Sequence, residues 1–116
     1  MIRKNQQRTV ESKTNHLGGE GTIIIRSLLN GPVEMFEKGR AFAHTTVQPG
    51  ASIGYHVHHG EAETYYIYSG EGEFNDNGTL CPVSAGDVTY TGDGEGHGLR
   101  NTGSEPLELI ALILYH

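Results

Sequence analysis

Three potential metal ligands lie close together in one glycine-bounded stretch, and their spacing constrains the fold more than any other feature. The stretch runs over residues 50–70 and contains His56, His58 and Glu63. Successive side chains of a β-strand point to opposite faces, so His56 and His58 share a face. A hairpin connection over residues 59–62 would bring Glu63 back beside them. We therefore expect two imidazoles and a carboxylate on one surface, a facial ligand set for a divalent first-row metal.

The composition limits the classes of partner and compartment. The chain has 116 residues, enough for one domain, and 14 acidic against 8 basic residues give a net charge of -6. With no basic cluster, neither nucleic acid nor an anionic membrane is expected as a partner. Cys81 is the single cysteine, which we interpret as a small buried apolar residue, and no apolar run resembles a signal peptide or a membrane span. A cytoplasmic protein is the expectation.

The order of short β-prone segments predicts an all-β domain. Seventeen glycines and four prolines separate these segments, as tight turns do in sandwiches and barrels. Residues 1–20 are polar and are predicted to form an arm that pairs along an edge or with a partner subunit, whereas residues 21–116 form one barrel domain. The helical signal is limited to one turn after Pro32. The predicted strands cover residues 22–28, 41–47, 64–68, 71–74, 79–83, 88–91, 99–102 and 107–114, with an Asn77-Gly78 hairpin turn and Pro82 at an edge or bulge.

Two ordered motifs resemble those of the cupin superfamily. The first is Gly50, His56, His58, Glu63 and Gly70 at the family's spacing; the second has Gly86, Gly94, His97 and Asn101. Gly92 stands where the family usually has proline. The resemblance covers about residues 41–114 and identifies the chain as similar to small single-domain cupins. It implies a double-stranded β-helix, or jelly-roll, barrel with one metal ion bound by His56, His58, Glu63 and His97.

The ligand types indicate which metals and which ligands fit. Three neutral imidazoles and one carboxylate suit manganese, iron, nickel, cobalt or zinc rather than copper(I). A divalent ion would leave the centre with a charge near +1, so a small anion is the expected ligand. Four protein ligands leave two positions of an octahedral metal open for it. Glu61 is the alternative to Glu63 as the carboxylate ligand, and the motif spacing favours Glu63.

Two further residues are candidates for moving a proton during catalysis. His44 lies on a predicted strand with Phe42 and Thr46 on the same face, and it points either into the barrel or away from it. Tyr65 shares its face with Glu63, which favours a phenol in the pocket rather than one that only packs.

Two classes of function are consistent with this pattern. The first is a metal-dependent enzyme acting on a small carboxylate, enolisable or sugar-like compound, as an oxygenase, decarboxylase, lyase or isomerase. The second is a non-catalytic metal-containing protein that binds a small molecule or has a structural role. A polar pocket around an open metal favours the enzyme, and a metal capped on all sides by protein excludes it. The isoleucine-rich strand and the apolar terminal strand also suggest a homodimer.

Overall fold

Ten antiparallel β-strands build two sheets that face each other. The computed structural model describes all of residues 1–116. One sheet has six strands in the order β1 (Val10–Thr14), β2 (Thr22–Leu29), β3 (Gly39–Val47), β10 (Leu107–Tyr115), β5 (Glu61–Ser69) and β8 (Val88–Thr91). The other has four, in the order β4 (Ser52–Val57), β9 (Gly96–Asn101), β6 (Glu71–Asp76) and β7 (Thr79–Ser84). The predicted all-β, double-stranded β-helix fold is confirmed.

Helical structure is confined to three short 3-10 segments. They are Asn5–Gln7, His16–Gly18 and Pro32–Met35, and the last begins at the proline that predicted it. None of them has the length or the apolar character that crossing a bilayer requires.

The core lies between the two sheets and follows from strand alternation. On β10 the odd-numbered side chains from Leu107 to Ile113 point inward and are buried, and the even-numbered ones face outward. The inward set packs against apolar side chains of both sheets, among them Ile23, Val47, Ile53, Ile67, Phe74 and Leu99. Cys81 lies outside this core on β7 and is only partly buried, so its interpretation as a buried residue is wrong.

The N-terminal arm joins the large sheet of its own chain. β1 pairs with β2 in the register Val10↔Arg26 to Thr14↔Thr22 and forms the edge of the sheet. In the isoleucine run of β2, Ile23 is buried in the core while Ile24 faces outward and is only partly covered. The arm therefore lies next to the barrel interior.

The Asn77-Gly78 turn connects β6 and β7 as predicted. Both residues have positive φ angles, 52° and 96°, which is the conformation that asparagine and glycine tolerate best. Pro82 lies on β7, the edge strand of the smaller sheet, where its missing N–H costs no ladder hydrogen bond.

The connection between β4 and β5 differs from the predicted hairpin. β4 pairs with β9 in the small sheet, whereas β5 pairs with β10 and β8 in the large sheet. The hairpin over residues 59–62 is therefore wrong: the chain crosses from one sheet to the other, because the two layers of a jelly roll exchange strands. His97 lies on β9, which begins at Gly96, three residues before the predicted strand over residues 99–102.

Candidate metal centre

The four predicted ligands come from both sheets and meet in the interior. His56 lies on β4 directly opposite His97 on β9, and His58 follows β4 by one residue. Glu63 approaches from β5 in the facing sheet. His58, Glu63 and His97 are buried, and His56 is partly buried. The structure thus brings together the complete ligand set that the two motifs predicted.

The ligand atoms are arranged as they would be around one ion. Their mutual distances are all within 4.8 Å. The His97 Nε2 atom lies 3.1 Å from Nε2 of both His56 and His58 and 3.1 Å from Oε1 of Glu63. Two atoms about 2.1 Å from an octahedral metal and 90° apart are about 3.0 Å from each other. The observed spacing therefore fits adjacent coordination positions of a mononuclear site.

Two of the histidines are oriented by hydrogen bonds on their outer ring nitrogens. The Nδ1–H of His56 donates to the carbonyl oxygen of Gly54 at 2.7 Å, and Nδ1 of His97 lies 2.8 Å from Oγ1 of Thr91. A donor at Nδ1 leaves the lone pair on Nε2, the atom that points to the centre. The Gly54 carbonyl therefore fixes the metal-binding tautomer of His56, and the Thr91 hydroxyl is able to accept the corresponding hydrogen bond from His97.

Glu61 lies behind His58 and not among the ligands. Its Oε1 atom is 3.7 Å from Nδ1 of His58, and its carboxylate accepts two hydrogen bonds from the Arg40 guanidinium at 2.7 and 3.0 Å. Because Arg40 fixes this carboxylate, Glu61 contributes negative potential beside the His58 ring, and the ligand carboxylate is that of Glu63.

The electrostatics of the cluster favour a charged Glu63. Burial favours the neutral acid, but the imidazoles of His58 and His97 outweigh it and lower the pKa of Glu63 to about 2. The pKa of His58 is raised, mainly by its hydrogen bond to the Glu63 carboxylate. The pKa of His56 is lowered, mainly by burial. The cluster offers a carboxylate anion at neutral pH.

Tyr65 is placed beside the cluster and His44 is not. Tyr65 is 4 % exposed and its ring stacks on the ring of His97 with centroids 5.1 Å apart. Burial first, then the charge of Glu63, raises the pKa of Tyr65 well above its usual value, so its phenol stays protonated. His44 is on the outer face of the large sheet, where it contacts Glu108 and Tyr68. Of the two orientations considered for His44, the structure shows the one away from the barrel.

A cavity of about 660 Å³ gives access to the centre. His56, His58, Glu63 and Tyr65 line one part of it, so protein does not enclose the ligand cluster on every side. Lys13 and His16, from the N-terminal arm, also line it. Sequence reasoning missed these two because only the pairing of β1 with β2 brings the arm over the barrel; the polar alternation Glu11-x-Lys13 is the one local signal.

Comparison with known proteins identifies the family. The Cupin domain profile, Cupin_2, matches residues 43–113. The chain is a cupin. It is 43% identical to an oxalate-binding protein of Thermotoga maritima over 114 residues, which covers 98% of this chain and 93% of that protein.

Solved structures agree with this assignment. The crystal structure of a predicted oxalate decarboxylase from Thermotoga maritima superposes with a TM-score of 0.94 at 42% identity, covering 100% of both chains. The cupin domain of Cnp3 from Schizosaccharomyces pombe has a TM-score of 0.73 at 16% identity, covering 91% of this chain and 69% of that one, which shows a shared fold only.

By sequence, the cupin also matches the alginate biosynthesis protein AlgA of Pseudomonas putida, with 37% identity over 67 residues, which is 58% of this chain and 14% of that protein.

Proposed function

We propose that this cupin binds one divalent transition metal through His56, His58, Glu63 and His97 and binds a small carboxylate anion at the remaining coordination positions. The observation that carries the proposal is the convergence of three imidazole nitrogens and one carboxylate oxygen within 4.8 Å beside a cavity. All four are nitrogen or oxygen donors, which suits manganese, iron, cobalt, nickel or zinc.

The charge of the centre favours an anionic ligand. A divalent ion and the single Glu63 carboxylate leave a charge near +1, and the ion pair of Arg40 with Glu61 adds no net charge to the cavity. The overall charge of -6 opposes an approaching anion, but salt screens charges over about 8 Å. The oxalate-binding relative supports the same ligand class. Oxalate or a related small carboxylate is the ligand that we propose.

We further propose that the bound anion is a substrate of a metal-dependent enzyme. A divalent metal held by His56, His58, Glu63 and His97 would supply Lewis-acid stabilisation of negative charge on the oxygens of the ligand. Tyr65 is the side chain of this chain best placed to contribute, because its buried phenol stays protonated beside Glu63 and is able to donate a hydrogen bond. His44 lies on the far face of the sheet and has no part in this proposal.

The second candidate is binding without turnover, which the description of the Thermotoga maritima relative as an oxalate-binding protein favours. The two candidates differ in whether oxalate is consumed. Incubation of the metal-loaded protein with oxalate, followed by measurement of formate and carbon dioxide, separates them. Release of both products supports a decarboxylase, and stoichiometric binding with the oxalate intact supports a binding protein.

The metal is tested by elemental analysis of the purified protein and two single variants. We expect about one transition-metal ion per chain in the wild type and its loss in His58→Ala, which removes a buried ligand. His59→Ala is the matched control, because the neighbouring His59 is exposed and lies outside the cluster. No metal in the wild type after supplementation, or equal metal in both variants, contradicts the site.

We also propose that the cupin forms a homodimer and resides in the cytoplasm. Apolar side chains on the outer face of the large sheet, including Ile24, Ile110 and Leu112, are only partly covered by their own chain, which supports a second copy packing there. One unpaired cysteine, Cys81, fits a reducing compartment.

A further inference from the structure

The N-terminal arm forms a wall of the cavity that holds the metal ligands. On β1, Glu11 and Lys13 share a face and both line this cavity, and His16 follows in the next turn. Opposite Lys13 in the sheet register is Ile23, which also lines the cavity. A strand from the arm therefore adds charged and polar groups to a space whose other walls carry Ile25, Ile53 and Ile113.

Hydrogen bonds and close packing hold this wall against the rest of the chain. The backbone N–H of Asn15 donates to the carbonyl of Gly21 at 2.9 Å, and that of Gly19 donates to the carbonyl of His16 at 2.9 Å. The turn also packs on β4 so closely that a Cβ on Gly54 would overlap the carbonyl oxygen of Leu17. The carbonyl of Gly54 also accepts the hydrogen bond that orients His56. The arm and the metal centre therefore both contact the same residue of β4.

Lys13 and His16 have hydrogen-bonding capacity that the protein does not use. The ammonium group of Lys13 has one ion pair, with Glu11 at 3.2 Å, and both side chains are about half exposed, 43% and 56%. An ammonium carries three donors, so two remain free. The other cation of the cavity, Arg40, is held in two hydrogen bonds by Glu61. No protein group hydrogen-bonds the His16 ring, which is part-buried and faces the cavity.

We propose that Lys13 and His16 bind the second carboxylate of a small dicarboxylate whose first carboxylate lies at the metal. The inference rests on the proposed function and adds to it the two residues that would hold the carboxylate lying away from the metal. A monocarboxylate at the metal would leave the remaining donors of Lys13, which is 43% exposed, bonded only to water, whereas the second carboxylate of a dicarboxylate offers them an anionic acceptor. Burial, and then the charge of Lys13, lowers the pKa of His16, so His16 contributes a neutral N–H donor and Lys13 supplies the positive charge.

Calorimetric titration of the metal-loaded protein with oxalate, malonate, succinate and glutarate, each against acetate, tests the proposal. We expect the wild type to bind one dicarboxylate more tightly than acetate. Lys13→Met should weaken that dicarboxylate about tenfold or more, the scale of a lost hydrogen bond to a charged group, and leave acetate unchanged. His16→Phe should weaken it in the same direction. Glu11→Gln should strengthen it, because Glu11 competes for Lys13 and repels the ligand.

Lys38→Met is the matched control, since it removes the same charge from an exposed residue outside the cavity. Metal content and thermal unfolding of each variant show that the fold and the metal centre are retained. If the wild type binds a dicarboxylate and Lys13→Met binds it as Lys38→Met does, the inference is overturned and the proposed function stands. If the metal-loaded wild type binds no carboxylate, the proposed function itself is overturned.

Discussion

At the scale of single residues, the candidate metal centre depends on groups outside the four-residue cluster. Each imidazole presents Nε2 to the cluster, and the partner of its Nδ1 atom decides whether that lone pair is available. For His56 this partner is a backbone carbonyl, which no substitution at Gly54 removes. For His97 it is the hydroxyl of Thr91, a group that mutation does remove.

Thr91→Val is expected to lower the affinity for the metal by about 10- to 100-fold, the usual effect of losing the partner of a ligand histidine. Thr91 is 1% exposed, and its Oγ1 atom lies 2.8 Å from Nδ1 of His97. Valine keeps the shape and leaves that ring nitrogen without a partner. Competition with a metal chelator measures the change.

Thr89→Val is the control for this experiment. Thr89 lies two residues earlier on β8 and its buried hydroxyl has no hydrogen-bond partner, so valine should leave metal affinity unchanged and stability equal or higher. Equal metal affinity in both variants would show that Thr91 does not orient His97.

At the scale of elements, β4 links the metal centre to the N-terminal arm. Its Gly54 lies against the turn at Leu17 on one side, and the carbonyl of the same residue orients His56. The missing side chain at this position allows the two backbones to approach, as glycine in a strand often does. A side chain at position 54 would therefore disturb both the N-terminal arm and the orientation of His56.

Gly54→Ala is expected to destabilise the fold by about 1–3 kcal/mol, the usual cost of overpacking, and to weaken metal binding as β4 and the arm move apart. The added Cβ would meet backbone atoms of Leu17 and Gly19, which have little freedom to yield. Chemical denaturation and chelator competition measure the two effects.

Gly50→Ala is the control for this experiment, because it strains the backbone without the steric overlap that a Cβ at Gly54 would cause. Gly50 has a φ angle of +78° and open space around a Cβ, so alanine there costs stability through its backbone conformation and leaves the metal affinity unchanged. Unaltered metal binding in Gly54→Ala would contradict the coupling of β4 to both the arm and the centre.

At the scale of the whole molecule, the outer face of the large sheet has no second layer. Ile24, Ile110, Leu112 and Tyr66 surround a polar group in which Glu108 accepts hydrogen bonds from Thr46 at 2.8 and 3.0 Å. His44 and Tyr68 also contact this carboxylate, and Arg26 donates to Thr46. Glu108 and Arg26 carry opposite charges, and both hydrogen-bond to the Thr46 hydroxyl, so the polar groups of this face already have partners within the chain.

The size of that face suits a dimer. Six strands about 4.8 Å apart, the longest nine residues at about 3.4 Å each, give at most roughly 900 Å². Stable interfaces bury about 800 Å² per partner. The face is therefore large enough only if most of it is covered, which favours face-to-face packing of two sheets.

Tyr66→Glu is expected to convert the proposed dimer to a monomer, because it places an unpaired charge in the centre of this face. Tyr66 is 47% exposed and pairs with Ile110 in the sheet register, so the folded chain itself tolerates the change. Leu80→Glu, at a 58% exposed position on β7, is the control. Sedimentation velocity reads out the mass; a monomeric wild type, or a dimer in both variants, rules out this interface.

Much of the fold and the identity of the four clustered residues followed from local patterns in the sequence. The short β-prone segments and the Asn77-Gly78 turn each depend on a few residues, where β propensity and backbone preference decide the structure. The candidate ligands His56, His58, Glu63 and His97 followed from the resemblance of two motifs to those of the cupin family, and the structure brings these four residues together.

Only the tertiary structure decided which strands pair with each other and which face of each strand is buried. Strand alternation states that a residue has two possible sides but not which side is the interior, and so His44 remained open until β3 was placed against β10. The crossing of the chain from β4 to β5 and the return of the arm to β2 are long-range pairings, for which no local preference exists. These pairings bring Lys13 and His16 into the cavity beside the candidate metal centre. Which strands become neighbours depends on how much apolar surface the whole sheet buries, and a short stretch of sequence does not contain that information.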